Sequence, residues 1–373
     1  MATDNKNKVL NVPHLRFPEF GGEWRKYKLA EICSFFSGGT PSSSKKEYYD
    51  GNIPFIRSGE LHMDKTELFI TEVGLDNSAA KIVDVGDLLL ALYGATSGDI
   101  AISQIKGAIN QAILCIRTTQ NKKFIESVWK KHVEKLLQTY LQGGQGNLSA
   151  DIVKNISFYF AESNEQIKLA KFITLLDERI ATQNKIIEKQ QSLIKGLAAQ
   201  LTQSGIPNVR LCDCLECHSS TLQEDCVSAT GSYPVYGATG LIGYTNNYAY
   251  NGESILIVKD GSSVGSLSYV NDHFSVIGTL NYLTAYEEHS ILYLYYALMT
   301  FNFTPYITGM AIPHIYFKDY GKAKLFYPSI EKRIRIASLL HNIEQKLAVE
   351  QNLVKSLSVQ KSYLLRMLSL IHI

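Results

Sequence analysis

The chain of 373 residues has no long apolar run. Its greasiest stretches, residues 88–95 and 291–301, fall well short of the ~18 residues that a membrane-spanning helix needs. The opening MATDNKNKVLNVP has no secretory apolar segment. Cysteine is scarce, and six irregularly spaced Cys make no disulfide framework. These absences predict a reduced, cytoplasmic, soluble protein with no membrane partner. An excess of either charge is also missing: 37 Lys+Arg stand against 35 Asp+Glu, a net +2. That balance excludes a simple polybasic nucleic-acid coat and an acidic disordered tail. At 45% hydrophobic residues, and with about 150 residues per domain, roughly two domains with real cores are expected.

Catalytic signatures are missing too. No Gly-x4-Gly-Lys-Ser/Thr phosphate loop, HExxH or Asp-x-Asp-x-Asp calcium loop occurs. The chain also lacks the Asp/Asn-Pro-Pro-aromatic tetrapeptide of amino-methyltransferases and the Pro-Asp…Glu-x-Lys pattern of nucleases. Gly237-x2-Gly240-x2-Gly243 follows Tyr-Pro-Val-Tyr instead of joining a strand to a helix, which argues against a dinucleotide site. Cys212, Cys214, Cys217 and His218 crowd into seven residues without the paired knuckles of structural zinc sites. No catalytic residue and no metal site is expected.

What is present is a duplication. Residues 165–201 superpose on 332–368 at an offset of 167, pairing Ile167 with Ile334, Leu176 with Ile343 and Leu197 with Leu364. Upstream, Gly94-x3-Gly98 falls on Gly261-x3-Gly265, and residues 147–160 fall on 314–327. The offset grows to about 180 where Ile53-Pro54-Phe55 meets Tyr233-Pro234-Val235, and Leu29 meets Leu211. The first copy therefore carries about 15 extra residues near its front.

Each copy begins with an α+β globule. Short β-branched and aromatic runs such as KIVDVGDLLLALYG and ESILIVKDG read as buried strands, with one helical segment per copy (122–141 and 289–301). Each copy then ends in a heptad helix. Its apolar seam runs through Leu169, Ile173, Leu176, Ile180, Ile187, Ile194, Leu197 and Leu201 in the first copy. In the second it runs through Ile336, Leu340, Ile343, Leu347, Val354, Leu357, Leu364 and Leu368. Gln183, Gln190, Glu350 and Lys361 are polar seam positions of the kind that fix register. The helices either pack on their own globules or on each other; two equal seams favour an antiparallel coiled coil. At ~1.5 Å per residue, such a helix of 37 residues spans roughly 55 Å. The expected segments are 1–22 (N-terminal), 23–162 (module one), 163–204 (central helix), 205–329 (module two) and 330–373 (C-terminal helix).

Two globules, each closed by a helix like NEQIKLAKFITLLDERIATQNKIIEKQQSLIKGL, resemble the specificity subunit of type I restriction–modification systems. The opening VPHLRFPEFGGEWRKYKLAEI, SGGTP before IPFIRSGEL, and YPVYGATGLIGYTNN with ILIVKDGSSVG carry the same resemblance, over about residues 10–370. The resemblance implies two target-recognition modules in tandem, separated by an antiparallel coiled coil. Each module would read one half of a bipartite, asymmetric site on double-stranded DNA. The helices would set the spacing and dock two modification subunits. It also implies that this chain binds no cofactor: S-adenosylmethionine would sit on the modification subunits, and ATP and Mg on the restriction subunits that join them.

Loops rich in Gly, Ser, Thr and Tyr allow close backbone approach and offer compact donors. The DNA-reading candidates in module one are Ser37, Gly38, Gly39, Thr40, Arg57, Ser58, Tyr93, Gln145 and Asn147. In module two they are Tyr236, Thr239, Tyr244, Lys259, Ser262, Ser263 and His314. Arg57 is the preferred guanine contact, because its planar fork matches O6 and N7; a surface ion pair is the competing reading. Charge divides unevenly: module two has 5 basic and 10 acidic residues, while the two helices are net basic by 2 and 4. A lone DNA binder normally shows a basic footprint of its own, so partner subunits are expected to supply most of the phosphate contacts. The competing class is a coiled-coil scaffold with two modules for ligands other than DNA.

Overall fold

The computed structural model describes residues 11–140 and 147–368. It divides into two compact units, Met1–Thr182 with Val354–Ile373, and Gln183–Leu353. Each unit holds one module and parts of both long helices.

In module one a four-stranded antiparallel sheet runs in the order Cys33–Ser37, Ile113–Thr118, Leu88–Ala91, Ile100–Ile102. A second sheet runs Phe69–Ile70, Tyr49–Ile56, Gly107–Ile109, Lys81–Val83, with its middle pair parallel. The LLLA run is apolar throughout because both of its faces are buried. Leu88 and Leu90 join the core around Trp129, Phe124 and Phe158, while Leu89 and Ala91 face Ile56, Val83 and Ile109. Period-two alternation of a strand sends neighbouring side chains to opposite faces. The helix Lys122–Tyr140 supplies Phe124, Ile125, Val128 and Trp129 to the first core.

Module two repeats the plan in one six-stranded sheet, ordered Leu215–Ser219, Leu280–Ala285, Tyr250–Val258, Leu267–Val276, Tyr233–Gly237, Gly240–Thr245. Ile255 and Ile257 enter one core, Leu256 and Val258 the other. The helix Ile291–Met299 is apolar on all sides and almost wholly buried.

The duplication read from the sequence is a duplication of the ladder. The parallel pairs Phe55↔Ala108 and Ile56↔Ile109 recur as Val235↔Ser275 and Tyr236↔Val276. The closing pair Lys28↔Ser157 recurs as Arg210↔Lys324. Leu29 N–H donates to the Ile156 carbonyl at 2.9 Å, as Leu211 does to Ala323 at 3.0 Å. The extra residues of the first copy lie between its second and third shared strands: thirteen more separate Ile56 from Leu88 than Tyr236 from Ile255.

The two long helices are Ser163–Thr202 and Ile330–Met367, and within each unit their segments pair antiparallel. In the first unit Leu169 shares a core with Leu364 and Leu368, and Asp177 pairs with Lys361 and, at 2.9 Å, with Lys123. In the second unit Ile187, Ile194, Leu197 and Leu201 meet Ile336, Leu340, Ile343 and Leu347, and Gln183 donates to Glu350. Every seam position is buried or half-buried, including Ile173, Leu176, Ile180, Val354 and Leu357.

The N-terminal segment closes the first unit. Leu15 N–H donates to the Met367 carbonyl (2.9 Å), Phe17 meets Phe172 edge-on, and Lys168 stands over the Phe17 ring.

Candidate nucleic-acid interface

Five backbone hydrogen bonds gather the loops at one corner of module one. Leu92 N–H donates to Ala112 O, Leu148 to Leu92 O, Gly98 to Ala91 O, Ser97 to Gly94 O and Ile113 to Asn110 O. The same five bonds recur in module two, each shifted by 167: Lys259 to Thr279 O, Ile315 to Lys259 O, Gly265 to Val258 O, Val264 to Gly261 O, and Leu280 to Ile277 O. One skeleton therefore presents two different sets of side chains.

In module one the skeleton brings together most of the sequence candidates. Ser37 ends the strand Cys33–Ser37, and Gly38 follows where a Cβ would lie 1.8 Å from the Ile109 carbonyl oxygen, so only glycine fits. A Cβ on Gly39 would lie 2.6 Å from Ala79 Cβ, and exposed Thr40 donates to Gln111 Oε1 at 2.5 Å. Tyr93 is 39% exposed and leads into the turn Gly94–Thr96. Exposed Asn147 lies beside it, fixed by the Leu148 to Leu92 bond. Gln145 lies outside the described residues. Arg57 and Ser58 follow the strand Tyr49–Ile56, whose parallel neighbour ends at Ile109.

In module two the exposed Thr239 sits at the tip between Tyr233–Gly237 and Gly240–Thr245. Tyr236 is half-buried against Phe274, and its carbonyl accepts from Ile277. Lys259, Ser262 and Ser263 occupy the turn after Tyr250–Val258. His314 is bound back to Thr308 through both backbone groups, with its ring edge-on to Tyr316. Tyr244 differs: it pairs with Pro234 and Ser228, away from the hairpin tip, and the fold does not bring it to this corner.

The Arg57 guanidinium is not idle. Its Nη2 lies 2.9 Å from Glu60 Oε1 and 3.0 Å from Glu67 Oε2, and its Nε donates to Glu60 Oε2. Burial works to raise the Glu60 carboxyl, but the Arg57 guanidinium and the Arg57 and Glu67 backbone N–H groups outweigh it and hold it at about 2. The ion-pair reading of Arg57 is thus realised in the free protein.

Sequence reasoning missed Glu60, Glu67 and Gln111, and in module two the exposed Met310, Ile312 and Tyr316 of the 308–316 loop. The i,i+3 spacing of Arg57 and Glu60 was a usable signal; Gln111 meets Thr40 only through the fold.

The Cys212–His218 stretch has structural partners. Burial pushes the Cys214 and Cys217 thiols up to about 11, Cys217 accepts from Asn281, and His218 stacks on Tyr282. Among the described residues no group of three or more His, Cys, Asp or Glu is disposed to hold a metal, and no helix is long and apolar enough to cross a membrane.

A duplicated α+β module, each copy packed on parts of two long helices, is the class that the fold defines. The model of the type I restriction modification DNA specificity domain matches residues 21–190 and again 207–358, and this chain belongs to that family. The EcoprrI specificity subunit of Escherichia coli is 22% identical over 358 residues, covering 86% of this chain and 87% of the relative. The MjaVIII specificity subunit of Methanocaldococcus jannaschii is 24% identical over 197 residues, 52% of this chain, and the match spans only 44% of that relative. Among solved structures, the type I restriction–modification S subunit from M. genitalium shares the fold with a TM-score of 0.69 at 17% identity, over 97% of this chain and all of that one.

Proposed function

We propose that this chain is the DNA-reading subunit of a type I restriction–modification complex and performs no catalysis itself. Each module reads one half of a bipartite, asymmetric site on double-stranded DNA. The long helices set the spacing and dock two modification subunits. S-adenosylmethionine belongs to those subunits, and ATP and Mg to the restriction subunits that join them.

The observation that carries this reading is the repeated corner: five backbone bonds conserved at a shift of 167, with unlike side chains on the two copies. A common frame bearing different donors is what two readers of two different half-sites require, because base edges are distinguished by donor and acceptor placement. The acidic balance of module two, 5 basic against 10 acidic residues, supports leaving most phosphate contacts to the partners.

Sequencing methylated adenines in cells with and without the gene tests the reading directly. A bipartite methylated motif that disappears with the gene is expected, and an unchanged methylation pattern overturns it. Purified alone, the chain is expected to bind DNA weakly; nanomolar, sequence-specific binding at physiological salt would refute the division of labour.

A further inference from the structure

Arg57 lies at the start of the stretch in which module one is thirteen residues longer than module two. That stretch builds a support around one carboxylate. Glu60 is 9% exposed and receives Arg57 N–H (2.9 Å), Arg57 Nε (3.2 Å), Arg57 Nη2 (2.9 Å), Thr66 Oγ1 (3.1 Å) and Glu67 N–H (3.3 Å). Five contacts fix the carboxylate, and the carboxylate fixes the plane of the guanidinium.

The second partner is of another kind. The Glu67 side chain is 88% exposed and holds Arg57 by one contact. An exposed pair of this sort is readily exchanged for another acceptor. Arg57 Nη1 has no partner among the described residues. The site opens on a cavity of about 500 Å³ lined by Arg57, Met63, Lys65, Thr66 and Glu67.

We infer that Glu60 is a positioning residue that presents Arg57 to a guanine edge in the half-site of module one, and that Glu67 is a stand-in acceptor which the guanine displaces. When Glu67 leaves, Nη1 and Nη2 offer two parallel N–H groups, the fork that matches guanine O6 and N7. Glu67 keeps the fork occupied in the free protein and is itself repelled by approaching phosphates. Module two carries Gly237 at the position matching Arg57 and is thirteen residues shorter over the stretch that follows, so the effect belongs to one half-site alone. The inference rests on the DNA-reading function above and names a residue pair within it.

The test uses the complex of this chain with its modification subunits, on DNA varied one base pair at a time across its methylated motif. Arg57→Ala is expected to lower the preference for guanine at one position of one half-site by about 10- to 100-fold, with the other half unchanged. Arg57→Lys does not restore it, because an ammonium is a point charge without the fork. Glu60→Gln produces the same single-position loss. Glu67→Ala raises methylation at limiting complex at least twofold without changing the preference. Equal loss at every position after Arg57→Ala, as for a phosphate contact, or an unaltered preference, overturns the assignment of Arg57 alone. A wild-type complex with no sequence preference overturns the assignment and the proposed function together.

Discussion

Each module is fastened to a long helix through a glutamate, and the two glutamates are held by different chemistry. Glu165, 1% exposed, accepts from Arg16 Nε (2.8 Å) and Nη2 (2.6 Å) and from Trp24 Nε1 (3.2 Å). Glu344 takes the hydroxyls of Tyr295 (3.0 Å) and Tyr296 (2.6 Å). Burial first, and then the neighbouring carboxylate, raises both of these phenols, so they remain donors. The position matching Gln166, which binds Gln120 and Ala161, is Arg333, which stands 4.0 Å over the Tyr327 ring. Module one is thus clamped by an ion pair and an amide network, module two by aromatic rings. The shared frame lies in the backbone, and side chains around it diverge wherever another solution closes the same junction.

The sharpest way to break this comparison is to neutralise both glutamates. Glu165→Gln takes the charged partner from half-buried Arg16 and leaves it the Gly21 and Gly22 carbonyls, and a loss of about 2–3 kcal/mol is expected. Glu344→Gln retains an acceptor for a neutral hydroxyl, and a loss of about 1 kcal/mol is expected. Urea unfolding of the two variants reads both values; equal losses would refute the distinction.

A further contrast is pH. The Glu60 carboxyl lies near 2 in the fold and near 4.3 in an unfolded chain. Its contribution is therefore complete above about 4.3 and is lost as pH falls through about 2. Linkage sets an upper limit of about 3 kcal/mol, and solvent screening of the half-exposed Arg57 partner brings the loss expected of module one over that window to about 1–2 kcal/mol. The loss is abolished in Glu60→Gln, as followed by the fluorescence of Trp24 and Trp129, the two tryptophans of the chain. Unchanged acid sensitivity in that variant would remove Glu60 as its cause.

The smallest effect is expected at the seam. Replacing the Gln183 and Glu350 pair by Leu on both helices should stabilise the second unit by about 1 kcal/mol, because two desolvated polar groups give way to apolar packing. The same change is expected to relax register, seen as doubled amide signals for the seam. A destabilised double variant would show that the pair contributes more than its burial costs.

Much of this molecule was legible without a structure. The seam from Leu169 to Leu201 and its partner from Ile336 to Leu368 are periodic, and periodicity is a local property; in the fold these positions are buried or half-buried. The offset of 167 was equally visible, and it proves to be the offset of the hydrogen bonds themselves. Individual side-chain roles were less legible. Tyr244 and Thr239 are both reading candidates by sequence, but strand pairing carries Tyr244 to the other end of the hairpin. For Arg57 the sequence leaves a guanine contact and a surface ion pair both open, and Glu67, ten residues on, turns back to meet it.

The sequence by itself determined the duplication, the strand and helix pattern, the polar breaks in the seam and the missing catalytic motifs, since each is written in spacing along one chain. Only the tertiary structure decided that Leu15 reaches Met367, that Thr40 meets Gln111, and that Glu60 holds Arg57 while Glu67 covers it. Those contacts depend on how loops close over a core, and a distance of a few ångströms between remote residues leaves no period in the sequence.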